Sequence, residues 1–203
     1  MLWLLACLDS AVFTGSADLG TLAPRIEAAG LLDARVDLDD DRVEVRYRAG
    51  DIGMFTRLVT EPVDFRIHWV DEEAWQEDVE RMAEAPDGRR LFEQDGRRWL
   101  TEAEPFLVGP DLSGAHWSTG FLDRRCVDLD GAGTLPEERV GNRFVAALGD
   151  EVWTAPVLNE VVPVDDLCLL KPPSRLVGLS DEELGATLVL GPMEPLRLVG
   201  FSD

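Results

Sequence analysis

Two stretches of this chain alternate apolar and polar side chains without a break, and that period of two restricts the fold to one built on half-buried β-strands. Residues 42–48 set Val43, Val45 and Tyr47 against Arg42, Glu44, Arg46 and Arg48, and residues 63–70 set Val63, Phe65, Ile67 and Trp69 against Asp64, Arg66 and His68. Successive side chains of a strand point to opposite faces, so each stretch predicts one face on a core and one in water. Residues 34–38 read as a strand joined to 42–48 by the turn Asp39-Asp40-Asp41. Residues 90–93 and 97–101 read as a hairpin across Gln94-Asp95-Gly96.

Helical signals are fewer. Thr21 caps a short helix carrying Leu22, Ile26 and Ala29, with Pro24 in its first turn and Gly30 at its exit. Asp71 opens a second helix with Glu72 and Glu73 in the first turn and an apolar stripe of Trp75, Val79 and Met82; Pro86-Asp87-Gly88 closes it. Ser180 and Glu183 form a capping box ahead of Leu184. Residues 143–148 fit a helix or a strand, and closing strands are expected at 187–190 and 196–199. Strands adjoin strands more often than they alternate with helices, which predicts an α+β fold: a mainly antiparallel mixed sheet with two or three short-to-medium helices packed on it. The 45% apolar content and six tryptophans suit a real core, and 203 residues suit one domain spanning 1–203, with 102–110 as the place where it would subdivide.

Charge bounds the partners. One lysine stands against 18 arginines and 40 acidic residues, for a formal charge of −21. Phosphate backbones and anionic membranes repel such a surface, whereas a basic protein or a divalent cation is attracted. The acidity is spread over both halves of the chain, with local concentrations at Asp39, Asp40 and Asp41 and at Asp71, Glu72, Glu73, Glu77, Asp78 and Glu80. Charge runs of this kind are usually solvated faces.

Cys7, Cys126 and Cys168 are odd in number and widely spaced, which predicts reduced, buried thiols and no disulfide framework. Leu4-Leu5-Ala6-Cys7 looks like a bacterial lipoprotein cleavage box, but six uncharged residues precede the cysteine, and the run 2–8 reads instead as a buried strand. No segment reaches the roughly 18–20 apolar residues of a membrane span. The expected location is the cytoplasm.

Residues 128–139 resemble the calcium loop of EF-hand proteins. Asp128 and Asp130 match loop positions one and three, Gly133 position six and Leu135 position eight. Ala132 replaces an oxygen ligand and Arg139 stands where the bidentate glutamate belongs, and shifting the register by two puts Cys126 first. The competing reading is a glycine-containing turn before a helix starting near Thr134. His68 and His116 are the only histidines: His68 falls on the polar face of its strand, and His116 with Trp117 in a Gly/Ser-rich stretch, 113–120, that reads as a loop. Nucleophile-elbow, phosphate-cradle and zinc-deaminase motifs are missing.

The leading expectation is therefore a small acidic binding or inhibitor protein that neutralises a basic protein partner, as immunity proteins do. It would use Asp39, Asp40, Asp41, Asp71, Glu72, Glu73, Glu77, Asp78, Glu80 and Trp117, with no cofactor, nucleic acid or membrane partner and an unknown small-molecule ligand. One alternative is an enzyme with a dispersed site in which His116 is the catalytic candidate and Asp128 and Asp130 the metal candidates. The other is a non-catalytic subunit of a larger bacterial assembly.

Overall fold

The computed structural model describes residues 8–120 and 123–202, arranged as two compact units: 8–63 with 192–202, and 64–191 without the two undescribed positions. The expected strand at 2–8 lies almost wholly outside the described residues. The class is α+β, with four separate antiparallel sheets and four α-helices among the described residues. The stretch 102–110 falls inside the second unit, where residues 107–108 pair with a central strand.

In the first unit, β1 (Asp9–Thr14), β2 (Arg35–Asp39) and β3 (Arg42–Tyr47) join the chain's last strand, Arg197–Ser202, in a sheet where the last strand lies beside β1, then β3, then β2. The alternation at 42–48 is realised: Val43, Val45 and Tyr47 are buried. Asp39 pairs with Arg42, leaving Asp40 and Asp41 as a two-residue turn. Helices α1 (Leu19–Ala28) and α2 (Ile52–Thr60) supply Leu22, Met54, Phe55, Leu58 and Val59 to the core. Phe13 and Phe55 meet edge to face at 5.8 Å, both fully buried, and each contributes about 1.5–3 kcal/mol by leaving water.

Two details of this unit depart from the sequence reading. Asp18, not Thr21, caps α1, because its carboxylate is placed to accept the Thr21 N–H at 3.0 Å, and Pro24 therefore sits inside the helix. Helix α2, missed entirely, starts at the Asp51 cap, whose carboxylate accepts the Met54 N–H at 2.8 Å.

The second unit carries β4 (Phe65–Trp69), α3 (Gln76–Arg81), β5 (Arg89–Gln94), β6 (Arg97–Glu102), β7 (Leu107–Val108), β8 (Leu112–Gly120), β9 (Arg124–Gly131), β10 (Phe144–Leu148), β11 (Glu151–Thr154), β12 (Cys168–Leu170) and α4 (Asp181–Val189); the closing strand of the first unit is β13. Strands order as β11-β10-β4-β7 in one sheet and β12-β9-β8 in another, with β5-β6 as a hairpin. Asp95 and Gly96 turn that hairpin with positive φ at both positions, 54° and 74°, as the twist of a two-residue turn demands. Phe92 of β5 packs with Val145, Ala147 and Val152. Residues 144–148 resolve as a fully buried strand, because β10 runs between β4 and β11.

Three expectations for this unit are corrected. The acidic helix is only Gln76–Arg81, because the Asp71 carboxylate is engaged by Arg89 at 2.7 Å and by the Glu73 N–H at 3.1 Å, and Trp75 is 80% exposed instead of lining a core. Residues 187–189 end α4 and form no strand, since the Ser180–Glu183 capping box starts a helix that runs through them. His68 is fully buried because its face of the sheet is covered: Phe92 of β5 packs on its neighbour Val145 and lies 5.3 Å from the His68 ring.

Candidate functional site

The sheet β12-β9-β8 gathers most of the chemically versatile side chains. Along β9, Val127 and Leu129 are fully buried, and the period of two puts Cys126, Asp128 and Asp130 together on the opposite face. Register fixes their neighbours: His116 of β8 lies directly across from Asp128, and Cys168 of β12 lies across from the same residue on the other side. A row His116–Asp128–Cys168 thus crosses all three strands, flanked by Asp130 and Cys126.

Contacts along the row are short. His116 Nδ1 lies 3.3 Å from Asp130 Oδ1, and His116 Nε2 3.9 Å from Asp128 Oδ2. Cys126 and Cys168 form a disulfide with Cα atoms 5.6 Å apart. Among the described residues, the sulfurs and an Asp128 carboxylate oxygen lie within 4.8 Å of one another. Cys126 is itself fully buried, and two glycines leave room for the cluster: a Cβ on Gly114 would stand 2.8 Å from Asp130 Oδ2, and one on Gly120 would stand 2.6 Å from Cys168 Sγ and 3.2 Å from Cys126 Sγ.

Helix α4 packs against β8, the edge strand of this sheet. Leu184 and Leu188 of the helix are fully buried, and a Cβ on Gly185 would stand 3.3 Å from the Ala115 carbonyl oxygen. Trp117 ties helix to sheet: its indole N–H donates to the Leu179 carbonyl at 2.8 Å, its backbone N–H donates to Asp181 Oδ1 at 2.9 Å, and the Arg125 guanidinium stacks 3.7 Å over its ring. Residues 113–120 are therefore a paired strand and no loop. Trp117, expected from sequence as a partner contact, is half-buried and anchors helix to strand within the unit.

The structure thus brings His116, Asp128 and Asp130 together, as the metal-site reading requires, but it removes the calcium-loop reading. Asp128 and Asp130 lie in a regular strand, and Arg139 is occupied elsewhere, donating to Glu102 at 2.8 Å and lying over Trp69. No helix starts near Thr134; a single 3-10 turn at Glu137–Arg139 follows. Cys126 and Cys168 are the contributors that sequence reasoning missed, since they are paired and not reduced. The alternation of Cys126 with Asp128 and Asp130 was visible; the pairing of Cys168, on a three-residue strand, had no local signal.

The remaining acidic candidates divide. Asp39, Asp40 and Asp41 are exposed in the first unit, at the β2–β3 turn. In the second, Asp71 and Glu72 are used internally: Glu72 accepts the Arg143 N–H at 2.8 Å, and the hydrogen-bonded Arg89 guanidinium holds the Asp71 carboxyl below the usual carboxylate range despite partial burial. Glu73, Glu77, Asp78 and Glu80 are exposed. His68 Nδ1–H donates to the Glu102 carbonyl at 2.9 Å and its Nε2 is buried without a partner. Burial pushes its pKa down and nearby Arg90 and Arg66 add to that, against the opposing hydrogen bond. Among the described residues no helix is long and apolar enough to cross a membrane.

No family model matches the sequence, and no curated protein matches it. The fold is similar to solved structures of SecDF. A crystal structure of SecDF in a super-membrane-facing form matches with a TM-score of 0.59 and 17% identity over 96% of this chain, which spans 30% of the length of that one. A second SecDF structure, of a membrane component that enhances protein export, matches with a TM-score of 0.55 and 19% identity over 94% of this chain and 98% of the other. At these identities the likeness is one of fold.

Proposed function

We propose that this chain is a non-catalytic domain or subunit of a protein-export assembly, working on the side of a membrane where thiols are oxidised. The observation that carries the reading is the correspondence of 94% of this chain with 98% of a SecDF chain described as enhancing protein export, a likeness between whole folded units. Fold alone does not specify function, so the Cys126–Cys168 disulfide matters as independent support: such bonds persist in oxidising compartments and are rare in the cytoplasm. This favours an exported chain over the cytoplasmic location expected from sequence.

A second reading keeps the neutralisation of a basic protein, which the exposed Glu73, Glu77, Asp78 and Glu80 favour through electrostatic steering. Cross-linking in intact cells of the native host, followed by capture of the tagged chain and mass spectrometry, separates the two. Enrichment of translocation components and exported precursors supports the export reading. Their absence, with one basic protein recovered at low salt and lost at high salt, would overturn it in favour of the second.

A further inference from the structure

The row on the β12-β9-β8 sheet carries the donor types of a zinc site beside a disulfide, with Cys126, Cys168 and Asp128 grouped closely and His116 standing outside that group on the far side of Asp128. Cys126 and Cys168 offer two sulfurs, Asp128 a carboxylate oxygen within 4.8 Å of both, and His116 a ring nitrogen, Nε2, 3.9 Å from Asp128. Two thiolates, one imidazole and one carboxylate make a tetrahedral donor set for a borderline-soft divalent ion, with sulfurs about 3.7 Å apart when each is about 2.3 Å from the metal. Sulfur donors also separate this set from the all-oxygen shell that calcium takes.

Asp130 supplies the second observation. Metal-binding histidines commonly donate their remaining ring N–H to a carboxylate, which fixes the tautomer and turns the free nitrogen to the metal. Asp130 stands 3.3 Å from His116 Nδ1, which leaves Nε2 on the side of Asp128. Gly114 makes room for the Asp130 carboxylate and Gly120 makes room beside the two sulfurs. His116 and Asp128 are held opposite each other by the β8–β9 pairing, which runs over nearly the full length of both strands.

We propose that reduction of Cys126–Cys168 converts this face into a site for one zinc-class ion, bound by Cys126 Sγ, Cys168 Sγ, an Asp128 carboxylate oxygen and His116 Nε2, with Asp130 as positioning residue. A dithiol reductant delivers two electrons and two protons: the S–S bond breaks, two thiols form and the reductant leaves as its own disulfide. Binding of the divalent ion then displaces the two thiol protons to solvent. A disulfide oxidant accepts the two electrons by thiol–disulfide exchange and leaves as its own dithiol, which reseals the Cys126–Cys168 bond and releases the ion, so occupancy reports thiol redox state. The inference does not rest on the proposed role in export.

Cobalt(II) tests it, in a Cys7→Ser background so that only two thiols are present. The reduced, desalted chain is expected to bind one equivalent with the absorption of thiolate-to-cobalt charge transfer, and zinc is expected to displace the cobalt; the oxidised chain should show neither, and calcium should not compete. His116→Ala and Asp128→Asn are expected to weaken binding by at least about tenfold. Asp130→Asn should weaken it by about 10–100-fold while leaving the charge-transfer band in place, as a residue acting through His116 must. If reduction unfolds the second unit, cobalt or zinc should restore the folded circular-dichroism signal. The proposal is overturned if the reduced chain shows neither the band nor recovery of fold, or if the oxidised chain binds equally well.

Discussion

Replacing Cys126 and Cys168 together by serine removes a cross-link that closes a loop of 42 residues within the second unit. On the chain-entropy account, a loop of that length, 42 residues, restricts the unfolded ensemble by about 4 kcal/mol at 25 °C. For a chain of 150–250 residues each kcal/mol is worth about 2–4 °C, so the melting temperature should fall by about 8–16 °C. The substitution is near-isosteric, and the strands keep their partners, so the loss should come from the unfolded state with little change in the folded one. Calorimetry of the two proteins, with thiol content verified by mass spectrometry, gives the shift. Hydrogen exchange should show faster opening of β9 and β12 and unchanged protection in β1 and β3, which belong to the other unit. A shift under about 2 °C would refute the reasoning, because a formed disulfide enclosing this loop cannot be that weak on the same account.

Two further outcomes follow from packing and burial. Gly109→Ala would put a Cβ 2.0 Å from the Leu188 carbonyl oxygen, a backbone atom that cannot move aside cheaply, and should cost at least about 2 kcal/mol in urea unfolding, whereas Gly133→Ala, with open space at its Cβ, should be limited to strain from its φ of 105°. His68 has a folded-state pKa below its unfolded value of about 6.5 because it is buried, so the unfolded chain binds the extra proton first. Its contribution is fully present above that pH and is lost as pH falls through the folded value. The melting temperature should drop between pH 7.5 and 5 more steeply in the wild-type chain than in His68→Asn, which retains a donor for the Glu102 carbonyl; equal slopes would contradict this.

Legibility in the sequence tracked the range of the interactions. The alternation at 42–48, the Asp95-Gly96 turn and the Ser180–Glu183 capping box are local, each settled within a few residues, and each appears where the sequence pattern puts it. His68 was misplaced because alternation marks two faces of a strand, not whether further layers cover both. Asp71 failed to start the expected helix because Arg89, 18 residues on, takes its carboxylate. The β8 segment read as a loop because its glycine and serine content obscured a strand whose partner, β9, lies close behind it. His116, Asp128 and Asp130 were each singled out, yet only the register of β8 on β9 brings them within reach of one another. Cys126 and Cys168, 42 residues apart, meet through β12, too short to declare itself.

The role in export is tested most directly by pulse-chase labelling of secreted proteins in native-host cells with the gene deleted, and again with it restored. The account predicts that precursors are converted to mature, exported forms more slowly in the deletion strain and at the original rate when the intact chain returns. Conversion at the same rate in both strains would contradict it.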